Sequence, residues 1–251
     1  MSRLRIATVP YLNAAPLIRG LSEAASDTDT VEIRPIVPSL IAGLLRSGEA
    51  DVGLVPVVEI PGLGDPGIVA GLGIASRRRA RSVLLVTRVP LESIRRVALD
   101  SSSRTSAALV RLLLARRGLR DIAFVERAPR WPALIEDVDA ALVIGDPALT
   151  TDWSGFQAID LATEWFAATG LPFVFAVWAV RPGLRLPDDG ALFHEALTRG
   201  ERDLEAIARE ASGRLGRPPE DLLSYLRDCI HYRLGPDEER ALPMFLARAH
   251  E

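Results

Sequence analysis

The chain is poor in cysteine and has no long hydrophobic run, and each shortage excludes a class of protein. Its single cysteine, Cys229, cannot form an internal disulfide and is typical of a reducing compartment. The longest apolar run, 173–180, is far too short to cross a bilayer. Arg3 and Arg5 are followed by polar residues such as Asn13 and not by the apolar core of a signal peptide. We therefore expect a cytoplasmic protein with no membrane partner.

The chain also has no large excess of charge of either sign. The formal net charge is −3, which gives no reason to expect a nucleic-acid partner. Apolar residues make up 48% of the chain and charged residues 25%, as in soluble globular proteins. At 251 residues the chain can bury a large core in one or two domains.

Histidines are few and badly placed for catalysis. All three, His194, His231 and His250, belong to the C-terminal region. Cys229 and His231 are two residues apart and would point to different faces of a helix, so a Cys–His pair is not expected. The sequence has no metal-ligand spacing, no dinucleotide-binding glycine motif and no Walker motif. We therefore expect no metal site.

Short apolar strands alternate with helical patterns over the first half of the chain, which predicts an α/β fold with mostly parallel sheets. The predicted strands are 5–9, 31–37, 51–55, 67–74, 82–87, 95–99, 122–125, 140–144 and 173–180. The predicted helices are 16–21, 39–48 with Ser39 as N-cap, and 107–117, followed by helical structure after Pro182 with breaks near Gly200, 213–219 and 235–236.

The strand–helix pattern restarts at residue 95, which predicts two lobes. The first comprises 1–88 and 175–251, including the C-terminal helices, and the second is the inserted segment 89–174. Two crossings, near Thr87 and at 173–180, would restrict the lobes to hinge closure over a cleft. Ligands favour such interfaces between domains.

The turns that follow the predicted strands are rich in small neutral hydrogen-bonding groups. The first turn contains Tyr11 and Asn13, the second Ser39 and the third Pro56. In an open α/β sheet these turns lie at the ligand-binding edge. Asn13 is placed either to cap the next helix or to point its amide at a ligand.

A second polar turn follows strand 95–99. It contains Ser103, Arg104, Thr105 and Ser106, more polar residues than a helix cap needs, although an ordinary cap with a solvated turn is the alternative interpretation. Gly145 and Asp146 follow strand 140–144. Hydroxyls and free N–H groups at helix starts bind carboxylates and phosphates, so two such turns facing each other would suit a small dianion.

Six segments, in order, resemble the chorismate dehydratase family, which begins the futalosine route to menaquinone. They are Tyr11-Leu12-Asn13 with Pro16-Leu17, then 48–56, 74–85, 103–106, 144–149 and 169–178. The sister family, dihydroxynaphthoate synthase, is less similar because it typically has a Ser-Pro-Cys-Pro-Asn turn where this chain has 9–13, Val-Pro-Tyr-Leu-Asn.

The resemblance implies a periplasmic-binding-protein type II-like fold, with two α/β lobes, a ligand cleft between them and C-terminal helices. It also implies a hydro-lyase that converts chorismate to 3-[(1-carboxyvinyl)oxy]benzoate and water without a cofactor. Chorismate has two carboxylates, which suits the polar cleft expected from the residues.

The reaction removes the ring C3 proton and the C4 hydroxyl, and aromatisation supplies the driving force. Our hypothesis is that the enolpyruvyl carboxylate of the substrate takes the proton, while Asn13 orients that carboxylate or the departing hydroxyl. Asp146 is the second candidate for the proton acceptor, or else a cap. The expected substrate-binding residues are Tyr11, Ser39, Pro56, Ser82, Ser103, Arg104, Thr105, Ser106 and Gly145.

Two other functions fit the same fold: a cytoplasmic solute-binding protein for a small carboxylate, and the sister synthase. The sequence leaves the oligomeric state open, because the apolar face of 219–233 suits packing within the chain as well as a dimer contact.

Overall fold

A computed structural model describes residues 3–27, 30–186 and 188–249, and within them eleven strands form two sheets. In chain order the strands are β1 (Leu4–Thr8), β2 (Val31–Pro35), β3 (Val52–Pro56), β4 (Gly67–Ser76), β5 (Val83–Thr87), β6 (Arg96–Asp100), β7 (Ala123–Arg127), β8 (Ala140–Ile144), β9 (Gln157–Asp160), β10 (Phe173–Val180) and β11 (His231–Arg233). The first sheet has the order β11-β4-β10-β3-β1-β2 and the second β7-β6-β8-β5-β9.

Helices flank both sheets. They are α1 (Ala15–Asp27), α2 (Pro38–Ser47), α3 (Arg104–Arg116), α4 (Asp146–Thr150), α5 (Leu161–Thr169), α6 (Ala191–Arg202), α7 (Leu204–Leu215), α8 (Pro219–Ser224) and α9 (Pro236–Leu246). Short 3₁₀ turns at Leu12–Ala14 and Val57–Leu63 follow β1 and β3, and a π-helical turn, Tyr225–Cys229, extends α8. Within the described ranges no helix combines the length and apolar character that a membrane span requires.

The sheets are mixed, which corrects the expectation of mostly parallel strands. β1 pairs in parallel with β2 and β3, but β10 pairs antiparallel with both β3 and β4. The second sheet repeats this arrangement, because β6 is parallel to β7 and β8 while β5 is antiparallel to β8 and β9. In each sheet a strand next to a passage, β10 or β5, runs antiparallel to the strands on both of its sides.

The chain passes from the first sheet to the second between β4 and β5, at residues 77–82, and returns at 170–172. The predicted boundary at residue 88 is therefore too late, since β5 pairs wholly within the second sheet. The C-terminal helix α9 covers the return. Its Phe245 ring lies 5.9 Å from that of Trp165 and 4.9 Å from that of Phe173.

The first lobe is packed around β3, whose five residues are all buried. Helix α2 packs against this strand, and strands covered on both faces are apolar throughout. Helix α6 runs through Gly200 and ends at Arg202, so the break that the sequence predicted near Gly200 falls at Asp203. A Cβ atom on Gly200 would lie 1.9 Å from the carbonyl oxygen of Pro16, so this glycine allows α1 and α6 to approach closely.

Asp51 links three strands at the end of the first sheet opposite the β1 and β3 carboxyl ends. Its carboxylate accepts hydrogen bonds from the backbone N–H and the guanidinium of Arg5 on β1, and from Arg181, which follows β10. Burial raises the pKa of Asp51, but these hydrogen bonds outweigh it and lower the pKa from 3.8 to about 2. Asp51 is therefore ionised at neutral pH and holds β1, β3 and β10 together.

Candidate substrate-binding cleft

The carboxyl ends of β1 and β3 face the second lobe across a cavity of about 70 Å³. First-lobe residues form one wall, and residues from β5, the start of α3 and the turn after β8 form the other. The lining residues are Val9, Tyr11, Asn13, Pro38, Leu54, Pro56, Ile74, Ser82, Val83, Ser103, Thr105, Ser106, Ile144, Gly145, Phe175 and Ala176. The structure therefore brings Tyr11, Asn13, Pro56, Ser82, Ser103, Thr105, Ser106 and Gly145 together, as the sequence predicted.

Asn13 is the only asparagine of the chain, and its amide faces this cavity. It lies inside the 3₁₀ turn between β1 and α1, with Tyr11 at the N-cap position, so it does not cap the helix. Its Oδ1 atom is buried and has no hydrogen-bond partner among the described residues. Leaving a buried acceptor unpaired costs about 1–3 kcal/mol, a cost that a bound donor would relieve. The amide is thus an open acceptor for a ligand.

The start of α3 supplies donors from the opposite wall. Ser103 occupies the N-cap position but its hydroxyl makes no capping hydrogen bond, which argues against the ordinary-cap interpretation. Thr105 and Ser106 are buried in the first helical turn. The first N–H groups of a helix have no partners within it and hold partial positive charge, so this end attracts an anion.

Ser82 has a partner that the sequence analysis did not identify. The hydroxyl of Tyr225 donates a hydrogen bond to Ser82 Oγ at 2.8 Å. Burial raises the pKa of Tyr225, so the phenol keeps the proton that it donates. The hydroxyl proton of Ser82 is then free for the cavity. No sequence signal separates Tyr225 from the apolar core residues beside it on the same helical turn.

Tyr11 forms part of the wall of the cavity. Its ring packs on Gly145, where a Cβ atom would lie 2.9 Å from the ring, and Gly145 has a φ of +66°. The Tyr11 hydroxyl lies 3.4 Å from Ser102 Oγ in the second lobe. Burial raises the pKa of Tyr11, so the phenol is neutral at physiological pH. Gly145 therefore contributes room for Tyr11 as well as part of the wall.

Three predicted site residues lie outside the lining. Ser39 is displaced because α2 begins at Pro38, with Val37 and not Ser39 at its N-cap, so that Pro38 faces the cavity. Arg104 turns away from the cavity to form an ion pair with Glu59 at 2.8 Å.

Asp146 is the third predicted site residue outside the lining. Its two carboxylate oxygens accept hydrogen bonds from the backbone N–H of Leu12 at 2.9 Å and from Arg214 at 2.7 Å. Both oxygens are therefore engaged by the first lobe and not directed at the cavity.

The remaining walls are apolar, and among the described lining residues Tyr11 alone has a titratable side chain. The contributions of Phe175 and Ala176 were missed, because a continuously apolar strand such as β10 does not reveal which residues face a ligand. His194 and His231 lie away from this lining, and His250 is outside the described residues. Within those residues, no group of three or more metal-ligating side chains is found.

Two α/β lobes, joined by two passages around a cavity of neutral polar and apolar residues, define the class of periplasmic-binding-protein-like folds. A crystal structure of an Archaeoglobus fulgidus protein matches with a TM-score of 0.79 at 19% identity, covering 99% of this chain and 97% of that one. The periplasmic aliphatic sulphonate binding protein of Escherichia coli matches with a TM-score of 0.66 at 16% identity, covering 98% and 86%. A Candida albicans protein described as having the generic periplasmic binding protein fold matches with a TM-score of 0.61 at 14% identity, covering 100% of this chain and 90% of that one.

Sequence comparison identifies the family. The chain belongs to the menaquinone biosynthesis family, whose model matches residues 4–251. It is 32% identical over 248 residues to the chorismate dehydratase of Thermus thermophilus, covering 90% of this chain and 88% of that protein. The fold class and the family resemblance predicted from the sequence are both confirmed.

Proposed function

We propose that this protein is a chorismate dehydratase, a hydro-lyase that converts chorismate to 3-[(1-carboxyvinyl)oxy]benzoate and water for menaquinone biosynthesis. One observation supports this most strongly: the unpaired Asn13 amide and the donor-rich start of α3 face the same cavity. Family membership and the relative in Thermus thermophilus support the same activity. The lone Cys229, with no disulfide partner, agrees with a cytoplasmic location.

The two carboxylates of chorismate match the two polar walls. The N–H groups and hydroxyls of Ser103, Thr105 and Ser106 would bind one carboxylate, and Ser82 adds a further hydroxyl donor. Neutral donors suit this role, because they stabilise an anion without bringing in a base that competes for the reacting proton. The apolar residues around them exclude water and so strengthen these hydrogen bonds.

Proton removal needs an acceptor, and the described lining provides no carboxylate, imidazole or amine. We infer that the enolpyruvyl carboxylate of the substrate takes the C3 proton. The C3–H bond breaks, its electron pair forms the C3=C4 bond of the aromatic ring, and the C4–O bond breaks. The departing hydroxide takes up the proton and leaves as water. Asn13 would orient the C4 hydroxyl, which donates to Oδ1, and its N–H groups would hold the carboxylate near C3.

The direct test is incubation of the purified protein with chorismate. We expect loss of the absorbance of the conjugated diene and a product whose mass equals that of chorismate minus water. Binding without turnover would instead support a solute-binding protein. A product of any other mass would favour a different enzyme on this fold, such as the sister synthase.

A further inference from the structure

Asp146 belongs to the second lobe, yet both of its hydrogen-bond donors belong to the first. It is the first residue of α4 and is 8% exposed. Oδ1 accepts from the N–H of Leu12 at 2.9 Å, and Oδ2 accepts from the guanidinium of Arg214 on α7 at 2.7 Å. Leu12 immediately precedes Asn13. One carboxylate therefore ties the second lobe directly to the turn that presents Asn13.

These contacts lie beside the cavity, at a groove that adjoins it. Val9 and Tyr11 line both the inner cavity of about 70 Å³ and an outer groove of about 380 Å³, so the Tyr11 ring separates the two. Leu12 and Arg214 line the outer groove as well. Sites for small organic ligands are commonly about 300 Å³ or larger, so the inner cavity has to widen to admit a ring with two carboxylates.

If the inner cavity widens on the side of the outer groove, Asp146 is separated from the N–H of Leu12 and from Arg214. If the lobes move apart at this side, both hydrogen bonds of Asp146 break together, because they cross the same gap. When the lobes return, the carboxylate engages the N–H of Leu12 and fixes the 3₁₀ turn that contains Asn13. Charge-assisted hydrogen bonds of this kind are short and directional, which suits them to set a turn in one position.

We propose that Asp146 is a positioning residue that couples closure of the lobes to the placement of Asn13. We call the Asp146 carboxylate and its two donors, the N–H of Leu12 and the guanidinium of Arg214, the latch. This inference rests on the proposed dehydration for its kinetic test. It differs from a role as proton acceptor, because Asp146 would act through Leu12 and Asn13 and would never meet the substrate.

The test compares kcat and KM for chorismate in three variants: Asp146→Asn, Asp146→Ala and Arg214→Gln. Asparagine keeps an acceptor for the N–H of Leu12 and loses only the charge paired with Arg214. We therefore expect Asp146→Asn and Arg214→Gln to lower kcat/KM by a similar factor of about ten. Asp146→Ala loses both contacts, and we expect kcat itself to fall about a hundredfold.

The double variant Asp146→Asn with Arg214→Gln distinguishes a positioning role of Asp146 from a role as proton acceptor. A latch predicts no further loss beyond either single change, because both remove the same interaction. If Asp146 were the proton acceptor, asparagine and alanine would be equally inactive and Arg214→Gln would retain normal activity. That pattern would overturn the proposal.

Asp51→Asn is the matched control. Asp51 also accepts from a backbone N–H and from arginines, but all its partners belong to the first lobe. We expect it to lower stability and leave kcat unchanged. A loss of kcat equal to that of Asp146→Ala would show that general destabilisation explains both, which contradicts the latch.

Solution scattering tests the latch without reference to turnover. We expect substrate-free Asp146→Ala to have a larger radius of gyration than the unaltered protein, because the hydrogen bonds of Asp146 between the lobes are lost. Equal radii would contradict the proposal, whether or not chorismate is a substrate. Failure of the unaltered protein to convert chorismate would refute the proposed function alone.

Discussion

At the scale of single residues, the site is built from neutral side chains, one of them unpaired and another held by a buried partner. Asn13 keeps an unpaired acceptor facing the cavity, while Ser82 is oriented from behind by Tyr225. The sequence indicated Asn13 because it lies in a turn between a strand and a helix. It could not indicate Tyr225, because contact between a helix and a distant turn is set by tertiary packing.

Replacing Asn13 tests the acceptor. We expect Asn13→Ala to lower kcat for chorismate at least a hundredfold, because an interaction aimed at the reacting group is lost. Asn13→Asp keeps the shape but places a negative charge beside a substrate carboxylate, so KM should rise as well. Steady-state kinetics of both variants provide the measurement. Near-normal turnover by Asn13→Ala would refute the role of this amide.

Replacing Tyr225 tests whether its hydrogen bond orients Ser82. Tyr225→Phe removes one buried hydrogen bond of 2.8 Å with little change in volume. We expect kcat/KM to fall by a factor of about three to ten, since Ser82 loses its orientation but keeps its hydroxyl. Ser82→Ala should cause at least as large a loss, and the double variant should be no worse than Ser82→Ala. Additive losses in the two single variants would contradict this coupling.

At the scale of helices and strands, periodicity predicted most of the two sheets. β8 and β10 have the predicted bounds, because strands buried on both faces are continuously apolar. β9 and β11 were missed, since each is short and partly exposed and depends on pairing with a partner strand. The predicted break near Gly200 falls at Asp203, between α6 and α7, because Gly200 itself serves helix contact and not helix termination.

Gly200 gives a prediction about helix packing. An added methyl group at this position would meet the Pro16 carbonyl at 1.9 Å, and the backbone of α1 cannot move away as a side chain could. We expect Gly200→Ala to lower the free energy of unfolding by about 3 kcal/mol or more. Gly43→Ala in α2 is the control, because nothing lies within 4 Å of the added Cβ atom.

The Gly43 control should stabilise the protein by about 0.5–1 kcal/mol through helix propensity. Urea denaturation of both variants is the measurement. Equal effects of the two substitutions would show that close approach of α1 and α6 does not explain Gly200.

Asp51 gives a prediction about pH. Its folded pKa of about 2 lies below the ordinary value of 3.8, so its stabilising contribution is present above pH 3.8 and is lost as the pH falls towards 2. We expect Asp51→Asn to lower the free energy of unfolding by about 2 kcal/mol at pH 7. In urea denaturation at several pH values, this difference should shrink below pH 3.8. A difference that stays constant with pH would contradict the ionic interpretation.

At the scale of the whole molecule, two lobes present opposite walls of one cavity, each with neutral hydrogen-bonding groups. The sequence predicted the two lobes and the inserted order, because the alternation of strands and helices starts again near residue 95. It misplaced the first passage, since β5 looks the same in sequence whether it pairs with the first sheet or the second. Sheet membership is a long-range property that local periodicity does not contain.

The central claim, that Asn13 binds the substrate from one wall while α3 binds it from the other, can be tested through the single asparagine of the chain. Labelling asparagine with ¹⁵N gives one side-chain amide signal, which belongs to Asn13. On titration with the product, 3-[(1-carboxyvinyl)oxy]benzoate, we predict that this signal shifts and saturates, and that Ser103→Ala with Ser106→Ala weakens the binding it reports. A signal that stays unmoved while the product binds would contradict the account.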